Sequence, residues 1–370
     1  MAQIALSISF FLSVILAILS QLQSRKRDDL RAVQACHANP TSRLGGLAVA
    51  LGLIVAWLVF PVAQSTLLVG LILCALPVFA AGLGEDAGWP VAPIWRLVAS
   101  VCSSFLVIMV FDAAISRMGV APLDGIFALP LPSLFLTPLV LTGVTQAFNM
   151  VDGLHGLCGF ASLITGGALA LIGMKSGQDQ AVQALWIVMA AVGGFLLVNF
   201  PRGLLFLGDA GAYLTGFVLA CIAVKMLQEQ PDLSPWAVVL VFFWPLADMV
   251  FAVARRMGRR RSAFRADKMH GHHVVLRSLE ILALGKKRGA VSNPLATLIL
   301  LPAMIAPAAL GVVFWNQNGR ACALVVAAMI CFVLAYRSLV AAAKRRRFRT
   351  IGGAGREALK QNTKLGRFSL

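Results

Sequence analysis

Three of the five histidines in the 370-residue chain fall within four positions, at His270, His272 and His273 of the run FRADKMHGHHVV. So dense a cluster suits a metal site, a cradle for an anion, or the polar flank of an apolar segment. A closed zinc site needs four ligands, and no cysteine lies near enough to complete one. In AGLGEDAGW, Glu85 and Asp86 stand side by side among glycines. Adjacent carboxylates repel, which raises the pKa of one or favours capture of a divalent cation. In QAFNMVDGLHGLCG, Asn149, Asp152 and His155 recur every three residues, so a helix continuing this far presents all three near one face. NFPRGLLFLGDAGAYLTGF begins with Asn199 and carries Asp209 between Gly208 and Gly211. An acid there either caps the following helix or offers a hard oxygen ligand to magnesium, with manganese as the alternative ion, beside glycines that leave room for a diphosphate. CHANPTSRLGGLAVALG adds His37, Arg43 and a glycine pair in an ordered loop. Asp248 sits inside the apolar run WPLADMVFAVARR, where a buried acid needs a partner and Pro245 can free backbone groups to supply one. Each signal also has a plain structural reading, as a helix terminus, a polar turn or a cap.

The elements that must position these residues are apolar. With 59% hydrophobic residues, 13% charged and a mean hydropathy of +0.85, the chain has too little polar surface to clothe a water-soluble globule. The expectation is an all-α polytopic integral membrane protein with about eleven spans, near 3–21, 45–63, 65–83, 96–114, 130–148, 156–174, 181–199, 210–228, 236–254, 293–314 and 321–341. The first of these lacks a basic leader and a small-residue cleavage site, so it reads as a transmembrane helix rather than a removed signal. Residues 1–341 are expected to form one transmembrane bundle, the one that would carry any catalysis, and 342–370 a basic cytoplasmic tail whose cations rest on anionic headgroups. Of the 32 Lys and Arg, all but Arg117, Lys175, Lys225 and Arg320 fall on the side holding 22–44, 84–95, 149–155, 200–209, 255–292 and the tail. The positive-inside rule makes that side cytoplasmic and, with an odd number of spans, places the N-terminus in the periplasm and the C-terminus in the cytoplasm. The net charge of +17 is therefore no nucleic-acid signature. The seven cysteines are scattered singly, as small core residues. Acids, amides and all five histidines collect at the basic ends of the spans, whereas a transporter or channel places ionisable groups along a path through the midplane.

Taken in order, HANPTSRLGG, GLGED, AFNMVDGLHGL, NFPRGLLFLGDAGAYLTGF and PLAD followed by DKMHGHH resemble the motifs of the polyprenyl-phosphate N-acetylhexosamine-1-phosphate transferases of glycosyltransferase family 4, from about His37 to His273. The His-x-His-His spacing is more similar to the N-acetylglucosamine branch than to the muramoyl-pentapeptide branch. The resemblance implies an enzyme of the bacterial inner membrane with its active site on the cytoplasmic face. Its partners would be a UDP-N-acetylhexosamine, undecaprenyl phosphate and membrane lipids, with no nucleic acid and a homodimer left open. Transfer of the sugar-1-phosphate, N-acetylglucosamine-1-phosphate first among the candidates, would release UMP and start a lipid-linked polysaccharide: an O-antigen, an enterobacterial-type antigen or an exopolysaccharide.

The resemblance also implies roles. Asp86 matches the acid that deprotonates or positions the lipid phosphate, with Glu85 paired beside it. Asp209 matches the magnesium ligand and Asn149 a second ligand or diphosphate contact. Asp152, His155 and Asn199 fall to the nucleotide, and His270, His272, His273, Arg265, Arg43 and His37 to the phosphates and sugar. Glu85 stands where aspartate is usual, Gln146 where asparagine is common and His155 where asparagine or aspartate is common; Asn39 replaces a lysine. Physically, a nucleotide diphosphate and a lipid phosphate bring several negative charges together, which a cation and basic side chains must screen before an oxygen can approach phosphorus. Two rivals stay open at this point: a transporter, and an inactive lipid-binding member of the same fold.

Overall fold

Inside a bilayer the backbone must satisfy its own polar groups, and helices do so within each segment. The computed structural model describes residues 1–23, 41–59, 66–258, 269–284 and 289–365, and among them every regular element is helical. The order is α1 (Ala2–Gln23), α2 (Gly45–Val59), α3 (Thr66–Asp86), α4 (Pro93–Phe111), α5 (Ala121–Phe127), α6 (Pro130–Val151), α7 (Leu157–Ser176), α8 (Asp179–Asn199), α9 (Gly208–Glu229), α10 (Pro235–Val241), α11 (Phe243–Met257), α12 (Gly271–Leu279), α13 (Gly289–Val313) and α14 (Asn318–Leu365), with a π-helical turn at Glu280–Leu284. Nine of the described helices are long and apolar enough to cross a membrane. The other two expected spans are the short apolar α2 and the pair α10 and α11.

That pair corrects the sequence reading. The ninth span, drawn straight over 236–254, is two helices meeting at 85°. The break falls at Phe242, and Pro245 explains it: the proline ring clashes with the carbonyl four residues earlier, that of Val241, where α10 ends. Two short helices also escape the hydropathy pattern, α5 and α12, the latter carrying His272 and His273 between two expected spans. At the other end, α14 continues unbroken through position 341 to Leu365. Its 48 residues span about 72 Å, more than twice the hydrocarbon thickness of a bilayer.

The core is built around α9, buried along nearly its whole length by α2, α3, α6, α7 and α8. Its first turn is approached closely by two glycines. Gly46 of α2 packs on Gly211, and a Cβ on Gly82 of α3 would lie 2.6 Å from the Ala210 Cα. The chain before α2 runs alongside the chain before α9, with Gly45 N–H to Phe206 O at 2.9 Å, Gly46 N–H to Leu207 O at 2.8 Å and Phe206 N–H to Ser42 O at 2.9 Å. These contacts bring the end of α3 and the start of α2 over the N-terminus of α9. The far end is tied separately: Arg117 donates to the carbonyls of Leu227 and Gln230, and Lys175 to that of Val312. The cations left off the basic side by the sequence count thus sit roughly 30 Å from the acids, one α9 length away.

Because backbone rather than a flexible side chain faces Gly82, Gly82→Leu forces α3 away from α9. The expected cost is about 1–3 kcal/mol or more, read as a lower Tm and loss of the monodisperse peak in detergent, and a variant with wild-type Tm would contradict this packing.

Candidate active site

The site starts from the problem of a buried helix terminus. The first N–H groups of a helix have no partner within it, and at α9 two acids from other segments supply one. Asp86, the last residue of α3, accepts Asp209 N–H on Oδ1 at 3.0 Å and Ala210 N–H on Oδ2 at 2.8 Å. Asp152 Oδ2 accepts Gly208 N–H at 3.0 Å. Gly208 has φ +74°, a left-handed conformation that favours glycine, and a Cβ there would overlap Arg43 O and the Asp86 carboxylate. Both acids also interact favourably with the positive end of the helix.

Asp209, in that first turn, pairs with the guanidinium of Arg96 from α4. The Arg43 charge acts on Asp86, Asp152 and Asp209 alike. Three carboxylates and two arginines therefore share one end of the bundle. Burial pushes the Asp152 carboxyl up to about 7, against the lowering effect of the Gly208 N–H and with the charges of Asp86 and Asp209 raising it further. Asn149, two residues before the end of α6, donates its amide to Tyr213 Oη at 3.2 Å. Tyr213 follows Asp209 by four residues, so the Asn149 side chain lies beside the same face of α9. Glu85 diverges from Asp86: its Oε2 accepts Val91 N–H at 3.0 Å and fastens the turn between α3 and α4.

The expected helical face through Asn149, Asp152 and His155 is not formed, because α6 stops at Val151 and 152–156 is a turn containing Gly153 and Gly156. His155 lies under the segment 200–207, its Nδ1 2.9 Å from Pro201 O and its ring against Gly203. Burial lowers its pKa, opposed by the Pro201 carbonyl, so the ring is neutral. From α13, Asn293 accepts the His155 N–H and Thr297 donates to its carbonyl. Asn199 spends both ends of its amide on backbone, accepting Gly156 N–H and donating to Leu205 O, each at 2.5 Å. It holds the 152–156 turn to the segment that leads into Gly208.

Asp248 organises a second half of the site. Its Oδ1 accepts Gly271 N–H at 2.7 Å, and its Oδ2 lies 3.1 Å from His272 Nδ1 and 3.5 Å from His270 Nδ1. The buried acid that lacked an assigned partner in the sequence is thus the anchor of the histidine segment. His270, His272 and His273 are all buried. Burial, then the neighbouring His272 and His270, lowers His273 to about 3. The two halves meet at Gly153, where a Cβ would be 2.8 Å from His272 Nε2 and 3.4 Å from His273 Cε1. His37 and Arg265 lie outside the described residues.

Among the described residues, no three His, Cys, Asp or Glu side chains converge to hold a metal by themselves. Magnesium asks for less, one or two carboxylates together with substrate phosphates and water. Asp209, paired with Arg96, and Asn149, whose nitrogen is engaged by Tyr213, are the residues that would hold it. Sequence reasoning missed Arg96, although a cation opening an apolar run at the acid-bearing end was a usable signal. It also missed Asn293 and Thr297, which look like ordinary span residues.

Two outcomes follow from this geometry. Asp152 has its folded pKa raised from an ordinary 3.8 to about 7, so the stability it confers is full below pH 4 and is lost as pH rises through 7. Asp152→Asn, which keeps an oxygen for the Gly208 N–H, flattens the fall in Tm between those limits. Asn199→Ala removes two buried hydrogen bonds and should cost about 1–3 kcal/mol, with faster proteolysis in 200–207; unchanged Tm and proteolysis would refute its stapling role.

The comparisons with known proteins fall on the same segments. The family model for glycosyl transferase family 4 matches residues 68–227, which include Asp86, Arg96, Asn149, Asp152, His155, Asn199 and Asp209. The chain is 29% identical, over 65% of its length and 66% of the relative's, to the decaprenyl-phosphate N-acetylglucosaminephosphotransferase of Mycobacterium tuberculosis. It is 26% identical, over 65% and 67%, to the probable undecaprenyl-phosphate N-acetylglucosaminyl 1-phosphate transferase of Bacillus subtilis. It is 32% identical, over 39% and 41%, to the undecaprenyl-phosphate alpha-N-acetylglucosaminyl 1-phosphate transferase of Escherichia coli. The matched part spans just under two thirds of the first of these relatives. From α3 to α9, the part built around the acid-capped N-terminus of α9, the chain is similar to glycosyl transferase family 4.

Proposed function

We propose that the protein transfers N-acetylglucosamine-1-phosphate from its UDP-sugar to a polyprenyl phosphate, undecaprenyl phosphate in the first instance, at the cytoplasmic face of a bacterial inner membrane. The observation that carries this reading is the cluster of Asp86, Asp152 and Asp209 with Arg96 and Arg43 at the N-terminus of a transmembrane helix. Such a cluster joins the two solvents the reaction needs, an apolar bundle for the isoprenoid tail and a polar end for the nucleotide. The names of the relatives support the sugar and the lipid phosphate. The excess of Lys and Arg at the same end supports the cytoplasmic orientation.

In the reaction, an oxygen of the lipid phosphate attacks the sugar-bearing phosphorus, the bond from that phosphorus to the bridging oxygen breaks, and UMP leaves with that oxygen. Magnesium, or manganese, held by Asp209 with Asn149, would screen the diphosphate and stabilise the leaving group. Arg96 and Arg43 supply positive charge around the phosphates. His155 and Asp152 line the turn assigned to the nucleotide. Asp86 positions the first turn of α9 and retains a second lone pair on each oxygen for the acceptor side. Both Asp86 oxygens already accept backbone N–H groups. A covalent phospho-Asp86 would sacrifice these bonds, which favours direct displacement.

Purified protein supplied with radiolabelled UDP-N-acetylglucosamine, undecaprenyl phosphate and magnesium is expected to form a labelled lipid and UMP in equal amounts. Asp209→Asn should lower the rate on the order of 100-fold. Near-normal turnover in that variant with unchanged metal dependence would remove Asp209 from the metal's site. Exchange of UMP into UDP-sugar without acceptor would replace direct displacement by a two-step route, and movement of substrate across liposomes without UMP would make the protein a transporter.

A further inference from the structure

A slot of about 530 Å³ opens between α11, α12, α13 and α14. Its origin is side-chain size: Ala303 and Ala306 on α13 and Ala328 and Ala335 on α14 line it, where larger residues would have filled the space. The buried edge-to-face pair of Trp244 and Phe332, with centroids 5.4 Å apart, forms part of its wall. Ala303, Ala306 and Ala335 are exposed, so the slot opens sideways, toward what would be lipid in a membrane. Its lining on α14 runs from Leu324 to Leu339, a length of about 22 Å at the helical rise. An apolar cavity of about 150 Å³ holds a benzene ring, so this one has room for on the order of twenty carbons. Those are the dimensions of one extended acyl chain.

The end of the slot next to the histidine segment is cationic. Arg346 follows Leu339 by seven residues and lies on the same stripe of α14 as Ala328 and Ala335. It donates to the Leu282 carbonyl of the π-helical turn. Arg255 donates to Tyr336 Oη at 3.1 Å and lies over the Phe251 and Tyr336 rings. Tyr336 in turn donates to Met269 O at 2.9 Å, immediately before His270. Glu280, which opens the π-helical turn, accepts from Ser292 Oγ at 3.2 Å. The slot also lies behind α12: Gly271, Val274 and Val275 face it, whereas His272 and His273 face Gly153. The slot and the acid cluster thus lie on opposite sides of α12, which favours an occupant other than a lipid held at the acids.

We infer that this slot binds one acyl chain of an anionic glycerophospholipid, with the headgroup phosphate at Arg255 and Arg346. The chain supports α12 from the side opposite the reaction centre and so holds the histidine segment in place.

Native mass spectrometry after equilibration with micelles of equimolar phosphatidylglycerol and phosphatidylcholine tests this without reference to activity. One phosphatidylglycerol is expected to stay with each chain in preference to phosphatidylcholine. Arg346→Gln, which removes a charge-assisted contact, should lower its retention on the order of ten-fold. Ala328→Phe, which fills the slot, should abolish retention while Tm matches that of delipidated wild type. Should Ala328→Phe fail to fold, Ala335→Leu on the exposed side of the slot serves the same purpose. Equal retention of phosphatidylcholine, or undiminished retention in a filled-slot variant, would overturn the inference. Displacement of the bound lipid by undecaprenyl phosphate would instead assign the slot to the acceptor's tail, and a dimer that Ala328→Phe dissociates would assign it to a second copy.

Discussion

A helix that begins inside a protein must find acceptors for its first amides, and the arrangement of this protein depends on how α9 does so. Gly208, Asp209 and Ala210 all donate to carboxylates that come from other segments, Asp152 and Asp86. Meeting that need draws the ends of α3 and α6 to one point. The glycines at 46 and 82 let the helices come near enough for the side chains to reach. Structural capping and chemistry are therefore not alternatives at this terminus. The acids that satisfy the backbone are the ones that concentrate negative charge where Arg96 and Arg43 answer it.

The histidine half is held by the same logic on a smaller scale. Asp248 is buried in α11, and its two oxygens are used by the N-terminal amide of α12 and by the His270 and His272 rings. The bend that Pro245 imposes separates α11 from the line of α10, so that Asp248 lies where α12 can start. A straight ninth span would leave the carboxylate in hydrocarbon without these partners.

Much of this was legible in the sequence because polar residues in a bilayer are costly and so stand out against an apolar background. Asp86, Asn149, Asp152 and Asp209 are visible at span ends, and hydropathy locates nine full-length helices within a few residues, except for the far end of α14. What it could not supply was direction. Glu85 and Asp86 are adjacent yet face different partners, and Asn199 is as polar as Asn149 yet is consumed by backbone. Arg96 was taken as the edge of an apolar run because a single cation at a span end has many uses, and only the fold brings Asp209 to it. The helix α12 was hidden for a different reason: nine residues with three histidines nearby carry no hydropathy signal, and what makes them helical is the acceptor at Asp248.

Gly153 has no side chain, and that absence sets the clearance between the acid cluster and the histidines. His272 and His273 come so near this position that a Cβ there would lie 2.8 Å from His272 Nε2 and 3.4 Å from His273 Cε1. The turn that makes this contact also carries Asp152, whose carboxylate accepts the Gly208 N–H at the start of α9. How near the histidines can stand to the acids is thus set by contact rather than by charge.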